Sequence, residues 1–88
     1  MASYSIDFKP SVDKDLRRLP RDIISRVLEK IEALKSEPLP PQAVKISASE
    51  RLYRLRVGDY RIVYEVDLER KKIVIYYIRH RSVVYRSL

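Results

Sequence analysis

The sequence contains no cysteine, no tryptophan, one glycine and one histidine in 88 residues. Without cysteine there is no disulfide, no thiolate nucleophile and no thiolate zinc site, and His80 alone cannot build a histidine cluster. Structural metal and thiol chemistry are thereby excluded. Long apolar runs are also missing: the longest, Ile73 to Ile78, is far short of the roughly 20 residues a membrane-spanning helix needs. Met1 to Lys9 lacks the apolar core of a secretion signal, so a cytoplasmic, non-membrane protein is expected. The scarcity of glycine, with 45% hydrophobic and 35% charged residues, argues against a low-complexity or disordered chain. The length suits one domain, residues 1–88, able to bury about 60–65% of its unfolded surface, so stability should be modest unless a partner adds to it.

What is present is positive charge, unevenly placed. The net charge is +7; residues 1–44 hold 8 basic and 7 acidic side chains, whereas residues 45–88 hold 11 basic and 5 acidic. Six of the seven tyrosines (53, 60, 64, 76, 77 and 85) lie in that second half. Cations interleaved with flat polar rings suit a nucleic acid, although solvated strand faces can have the same composition.

Tyr4, Ile6 and Phe8 alternate with Ser5, Asp7 and Lys9, which predicts a half-buried strand of about six residues. Val12, Leu16 and Leu19 recur at helical spacing after Pro10, and Pro20 restarts a second helix with Ile23, Ile24, Val27, Leu28, Ile31 and Leu34 on one face. The charged faces of this helical hairpin mix both signs and read as solvated surface. Pro38, Pro40 and Pro41 begin a loop to about Ser49, with a short extended piece at Val44 to Ile46. Leu52 to Val57 alternates again, and Gly58-Asp59 supplies a two-residue turn into a strand from Tyr60 to Val66. A second turn, Asp67 to Lys71, leads to Ile73 to Arg79, where both alternate sets are apolar or aromatic, as in a strand covered on two sides. The tail has room for one turn of helix. The predicted fold is α+β: an N-terminal strand, a helical hairpin and a three-stranded antiparallel meander, forming a mainly antiparallel four-stranded sheet.

The Gly58-Asp59 turn fixes a register in which Val57 faces Tyr60, Arg56 faces Arg61, Leu55 faces Ile62, Arg54 faces Val63 and Tyr53 faces Tyr64. Tyr53, Leu55, Val57, Tyr60, Ile62 and Tyr64 then point toward the helices, and Arg54, Arg56 and Arg61 point away. Opposed like charges cost about 0.2–1 kcal/mol, a cost with a use where an anion binds, unless Glu65 and solvent absorb it. An odd-numbered register in the last strand adds Tyr77, Arg79 and Arg81; a one-residue slip brings His80 instead. Guanidinium groups grip phosphate with two donors each.

This order of elements, with Leu52-Tyr53-Arg54-Leu55-Arg56-Val57-Gly58-Asp59-Tyr60-Arg61, then His80-Arg81 and Tyr85, resembles the RelE toxins of the RelE/ParE superfamily of toxin–antitoxin modules, over nearly the whole chain. The resemblance implies a ribosome-dependent endoribonuclease that cuts messenger RNA in the ribosomal A site, beside 16S rRNA, without metal or cofactor. It implies attack of a 2'-hydroxyl on the adjacent phosphate, and inhibition by a cognate RelB-like antitoxin, through which alone the toxin would reach operator DNA. Carried over by position, Arg61 and Arg81 would hold the scissile phosphate and Arg54 and Arg56 would steer the RNA backbone; Lys45 and Arg79, basic residues of the same half, are further candidates for RNA contact. Tyr85 would stack on a base or take the 2'-hydroxyl proton. Archetypal members carry lysines where this chain has Arg54 and Arg56, and arginine effectively cannot lose a proton. The burden of proton transfer therefore falls on Tyr85 or on His80, whose imidazole type titrates near neutral pH. The chain stops three residues after Tyr85, so a longer C-terminal helix is expected to be absent or reduced, and an antitoxin segment would cover the arginine face directly. Two other readings share the scaffold: a ParE-like toxin that inhibits DNA gyrase by contact, and an inactive relative that only pairs with an antitoxin.

Overall fold

The structure, a computed structural model, describes residues 3–46 and 51–87, with side chains described up to residue 84. In chain order the elements are β1 (Ser5–Phe8), α1 (Val12–Arg17), α2 (Arg21–Leu34), β2 (Val44–Lys45), β3 (Leu52–Val57), β4 (Tyr60–Asp67), β5 (Lys72–His80) and α3 (Arg81–Ser87). The strands form one sheet in the order β1-β5-β4-β3-β2, antiparallel except for the β1–β5 pair. The expected α+β architecture is therefore present, with a fifth strand: the extended piece at Val44–Lys45 pairs with β3. The end of the loop that contains this piece, expected near Ser49, falls in residues 47–50, which lie outside the described residues.

Each boundary has a local cause. β1 is four residues and not six; the Lys9 amide still donates to the Ile75 carbonyl, but Pro10 has no N–H with which to continue the ladder. Pro20 precedes α2, which buries Ile23, Val27, Ile31 and Leu34 at steps of three and four. Leu28, expected on that face, is 45% exposed, because at one residue past Val27 it lies about 100° around the helix from the buried stripe.

The main core lies between α1–α2 and one sheet face, where Leu55, Val57, Ile62, Tyr64, Val66, Ile73, Ile75 and Ile78 meet the helix stripe. Tyr64 is fully buried and its hydroxyl donates to the Pro38 carbonyl at 2.9 Å, tying the loop after α2 to the sheet. Burial, with Tyr53 beside it, pushes the Tyr64 hydroxyl well above the usual phenol range. On α1, the buried Asp15 accepts the Ile78 amide at 3.1 Å, and so satisfies a β5 N–H beyond the end of β1.

β5 bonds to β1 on one side and β4 on the other, as expected of a strand covered twice. Its two apolar sets have a further cause. The β4–β5 ladder slips between Val63 and Tyr64, so Ile75 pairs with Tyr64 but Tyr77 pairs with Val63. The extra residue switches the parity of the buried side chains, from Ile73 and Ile75 to Ile78. On the opposite sheet face a smaller cluster joins Ile46, Val63 and Val84, with Leu52, Tyr76 and Tyr77 around it. Val84 belongs to α3, which has seven residues, more than the single turn expected.

Candidate nucleic-acid interface

The Gly58-Asp59 turn builds the site. Gly58 adopts φ +58°, a conformation that costs an L residue with a side chain about 1–2 kcal/mol. The register expected from the turn is the one observed, from Val57 opposite Tyr60 to Tyr53 opposite Tyr64, with Arg56 opposite Arg61. On the next strand Arg79 lies opposite Arg61. Because directly opposed residues share a face, Arg56, Arg61 and Arg79 form one row across β3, β4 and β5. The neighbouring row is Arg54, Val63 and Tyr77.

The three arginines of the row are held differently. Arg61, on the face away from the helices as expected, is only 7% exposed. A buried guanidinium must be hydrogen-bonded to be tolerated, and its Nη1 donates to the carbonyls of Gly58 at 3.1 Å and Tyr60 at 2.9 Å. Arg56 is exposed, and its Nε donates to the same Gly58 carbonyl at 3.3 Å. Arg79 stacks its guanidinium 4.4 Å from the centre of the Tyr77 ring, with Nε 3.8 Å from the Asp15 carboxylate. Glu65 does not relieve the Arg56–Arg61 opposition: it accepts the Tyr76 hydroxyl at 2.8 Å and faces Arg51 at 3.9 Å. That hydrogen bond, first, and burial raise the Tyr76 pKa.

Arg81, the first residue of α3, joins the site at the turn. Its amide donates to the Asp59 carbonyl at 2.8 Å, and its Nε lies 4.0 Å from the Asp59 carboxylate. Arg54 and Arg56 line an open cleft with Arg61 at the exposed edge of β3. Two candidates lie apart from this group. Lys45 pairs with Tyr53, a register that puts it on the helix side of the sheet. His80 pairs with Tyr60, also on the helix side, their rings edge to face at 5.5 Å. Its Nδ1 accepts the Ser82 amide at 3.2 Å and lies 2.9 Å from the Ser82 hydroxyl, so it caps α3. Tyr85 falls in α3, one residue after Val84, which packs on Val63; its side chain lies outside the described residues. Among the described residues no three His, Asp or Glu side chains gather as a metal site, and no helix is long and apolar enough to cross a membrane.

Sequence reasoning missed Arg26 and Lys30. Both line the same cleft as Arg54 and Arg56, but a count of charges along α2 finds acids and bases in balance and hides which face each occupies. The usable signal was their spacing of four, beside the buried stripe.

The fold is a small sheet backed by two helices, with an arginine row on the far face. The chain belongs to the ParE toxin family of type II toxin–antitoxin systems, parDE, whose profile matches residues 6–85, and within the RelE/ParE superfamily it is of the RelE type. It is 30% identical over 87 residues to the putative toxin RelE1 of Methanocaldococcus jannaschii, covering 96% of this chain and 97% of that one. It is 31% identical over 84 residues to toxin RelG of Mycobacterium tuberculosis, covering 94% and 97%. Among solved structures, a chain of the archaeal RelE–RelB complex from Pyrococcus horikoshii superposes with a TM-score of 0.80 at 34% identity, covering 92% of this chain and 97% of that one. The protein is thus a RelE-like toxin of a type II toxin–antitoxin system.

Proposed function

We propose that the protein is an endoribonuclease that cleaves messenger RNA in the A site of the ribosome, without metal, and is silenced by a RelB-like antitoxin. The observation that carries the reading is the row of Arg56, Arg61 and Arg79, opposed across three strands, with Arg54 one pair along and Arg81 at the turn. Each opposition of like charges costs about 0.2–1 kcal/mol, and a bound phosphodiester turns that cost into binding.

In the reaction the 2'-oxygen bonds to phosphorus, the bond from phosphorus to the 5'-oxygen breaks, and the products are a 2',3'-cyclic phosphate and a 5'-hydroxyl. Arg61, oriented by the Gly58 and Tyr60 carbonyls, and Arg81 carry the charge that develops on the phosphorane oxygens. Arg54 and Arg56 hold the neighbouring backbone. Tyr85, as its phenolate, takes the 2'-hydroxyl proton, because the arginines cannot accept one and His80 is turned to the helix side as the cap of α3, and water supplies the proton that the leaving 5'-oxygen takes up. The Tyr85→Phe substitution should lower cleavage tenfold or more; an unchanged rate sinks that assignment. RelB-like partners appear with RelE chains in the archaeal and mycobacterial complexes, which supports an antitoxin of the same kind here.

The ParE description of the matched family favours a second reading, a toxin that inhibits DNA gyrase by contact. An Arg61→Ala/Arg81→Ala double substitution separates the two. It should abolish ribonuclease activity, whereas a gyrase contact made elsewhere on the fold would survive it.

A further inference from the structure

Five cations and no carboxylate line the cleft at the open edge of β3: Arg26 and Lys30 from α2 on one wall, and Arg54, Arg56 and Arg61 from the hairpin on the other, with Gln42 between. The topology makes the opening. β2 ends its pairing at Val44 opposite Arg54, so Arg56 and Val57 have no strand beside them on that edge. α2 packs against β3, with Ile23, Val27 and Ile31 in the same core as Leu55 and Val57, and residues three positions on from Ile23 and Val27 are Arg26 and Lys30. The turn brings the walls together: a Cβ on Gly58 would lie 3.6 Å from Arg26 Nη1, and the Gly58 carbonyl already accepts from Arg56 and Arg61. Among the described residues neither Arg26 nor Lys30 has an ion-pair partner. The cleft holds about 390 Å³ and opens to solvent, within the size range of ligand pockets, about 300–1,000 Å³.

We infer that Arg26 and Lys30 form a second phosphate site, which binds the RNA backbone at a linkage away from the scissile one. The inference rests on the RNA-cleaving reading above for the identity of the anion. Continuity favours RNA over an acidic peptide: Arg54, Arg56 and Arg61 belong both to this cleft and to the arginine face, so a strand crossing that face runs over the β3 edge into the cleft.

The test uses the full-length protein and a 12-nucleotide single-stranded RNA, 2'-O-methylated throughout so that it cannot be cut, carrying one neutral methylphosphonate at each linkage in turn. Binding is followed by fluorescence anisotropy over a range of salt. For the wild type, one linkage besides the scissile position should cost about tenfold in affinity when neutralised. In Arg26→Gln/Lys30→Gln, placed on the solvent side of a helix with a good helix former, the unmodified RNA should bind about tenfold more weakly. Neutralising that linkage should then cost nothing further, and the slope of log K against log salt should fall by about 0.7 for each phosphate that the protein no longer neutralises. A charge-matched control, Lys14→Gln/Arg21→Gln, should retain the linkage effect. Equal weakening by both variants, with every linkage effect retained, overturns the inference, as does weakened binding of an acidic antitoxin peptide with RNA binding unchanged. The measurement needs neither ribosome nor cleavage, so a wild type that binds as described but leaves a message on stalled ribosomes intact overturns the nuclease reading and leaves the phosphate site standing.

Discussion

Replacing Arg61 by methionine keeps the length of the side chain and removes its charge, and the structure sets what that should do. Two hydrogen bonds, to the Gly58 and Tyr60 carbonyls, disappear. Because the donor is charged, each is worth about 1.5–3 kcal/mol, so this costs about 3–6 kcal/mol. Two like-charge oppositions, with Arg56 and Arg79, are relieved, which returns about 0.4–2 kcal/mol. The net change is therefore a destabilisation of about 1–5.6 kcal/mol. Cleavage answers to a different quantity. Removing one donor aimed at a developing oxyanion costs about 10²–10³ in rate, or about 2.7–4 kcal/mol. Urea unfolding with unchanged m value gives the first number, and single-turnover cleavage on stalled ribosomes gives the second. A variant destabilised by more than about 6 kcal/mol would mean that Arg61 holds more of the fold than these two bonds account for. One that cleaves within threefold of wild type would remove it from the reaction.

Gly58→Ala should be destabilised by about 1–2 kcal/mol from its positive φ alone, since the added Cβ meets only ordinary van der Waals neighbours at 3.5 and 3.6 Å; Gly58→Asn should recover part of that stability in the same urea titration. Asp15→Ala leaves the Ile78 amide unpaired at the β5 edge and should cost about 1–3 kcal/mol, with Asp15→Asn milder because it keeps an acceptor. Stability should fall as pH rises above about 10, because Tyr64 and Tyr76 hold their protons more tightly folded than unfolded. Thermal melts from pH 8 to 11 check this, and Tyr64→Phe should flatten the decline. At the other end, Asp67, its carboxylate held down first by the Arg70 amide, contributes stability above the unfolded carboxylate pKa that is lost as pH falls through its lower folded value. Asp67→Asn should therefore have a shallower decline in acid.

The hairpin was the most legible part of the chain because one glycine at a two-residue turn fixes every pairing from Val57–Tyr60 to Tyr53–Tyr64. The arginine face of the hairpin followed from that register by alternation alone, whereas Arg79 beside Arg61 was one of two registers open for the last strand and is the one observed. What the sequence concealed was set by packing. The slip at Val63/Tyr64 shows only as a strand with both faces apolar, and nothing in the residues Ile73 to Arg79 says where the extra residue falls. His80 looked like a neighbour of the arginines because it adjoins Arg79 and Arg81, yet alternation puts it against Tyr60. The burial of Arg61 depends on carbonyls that no side-chain pattern records. Arg26 and Lys30 were invisible because charge was counted along α2, while the cleft depends on where β2 stops.

The central claim is cut or uncut message. Primer extension on a defined mRNA, with purified ribosomes stalled at a known codon, should give a new 5' end inside the A-site codon with wild-type protein, and none when ribosomes are left out. A message that stays intact on the stalled ribosome, or one that is cut equally well without ribosomes, would contradict a ribosome-dependent nuclease.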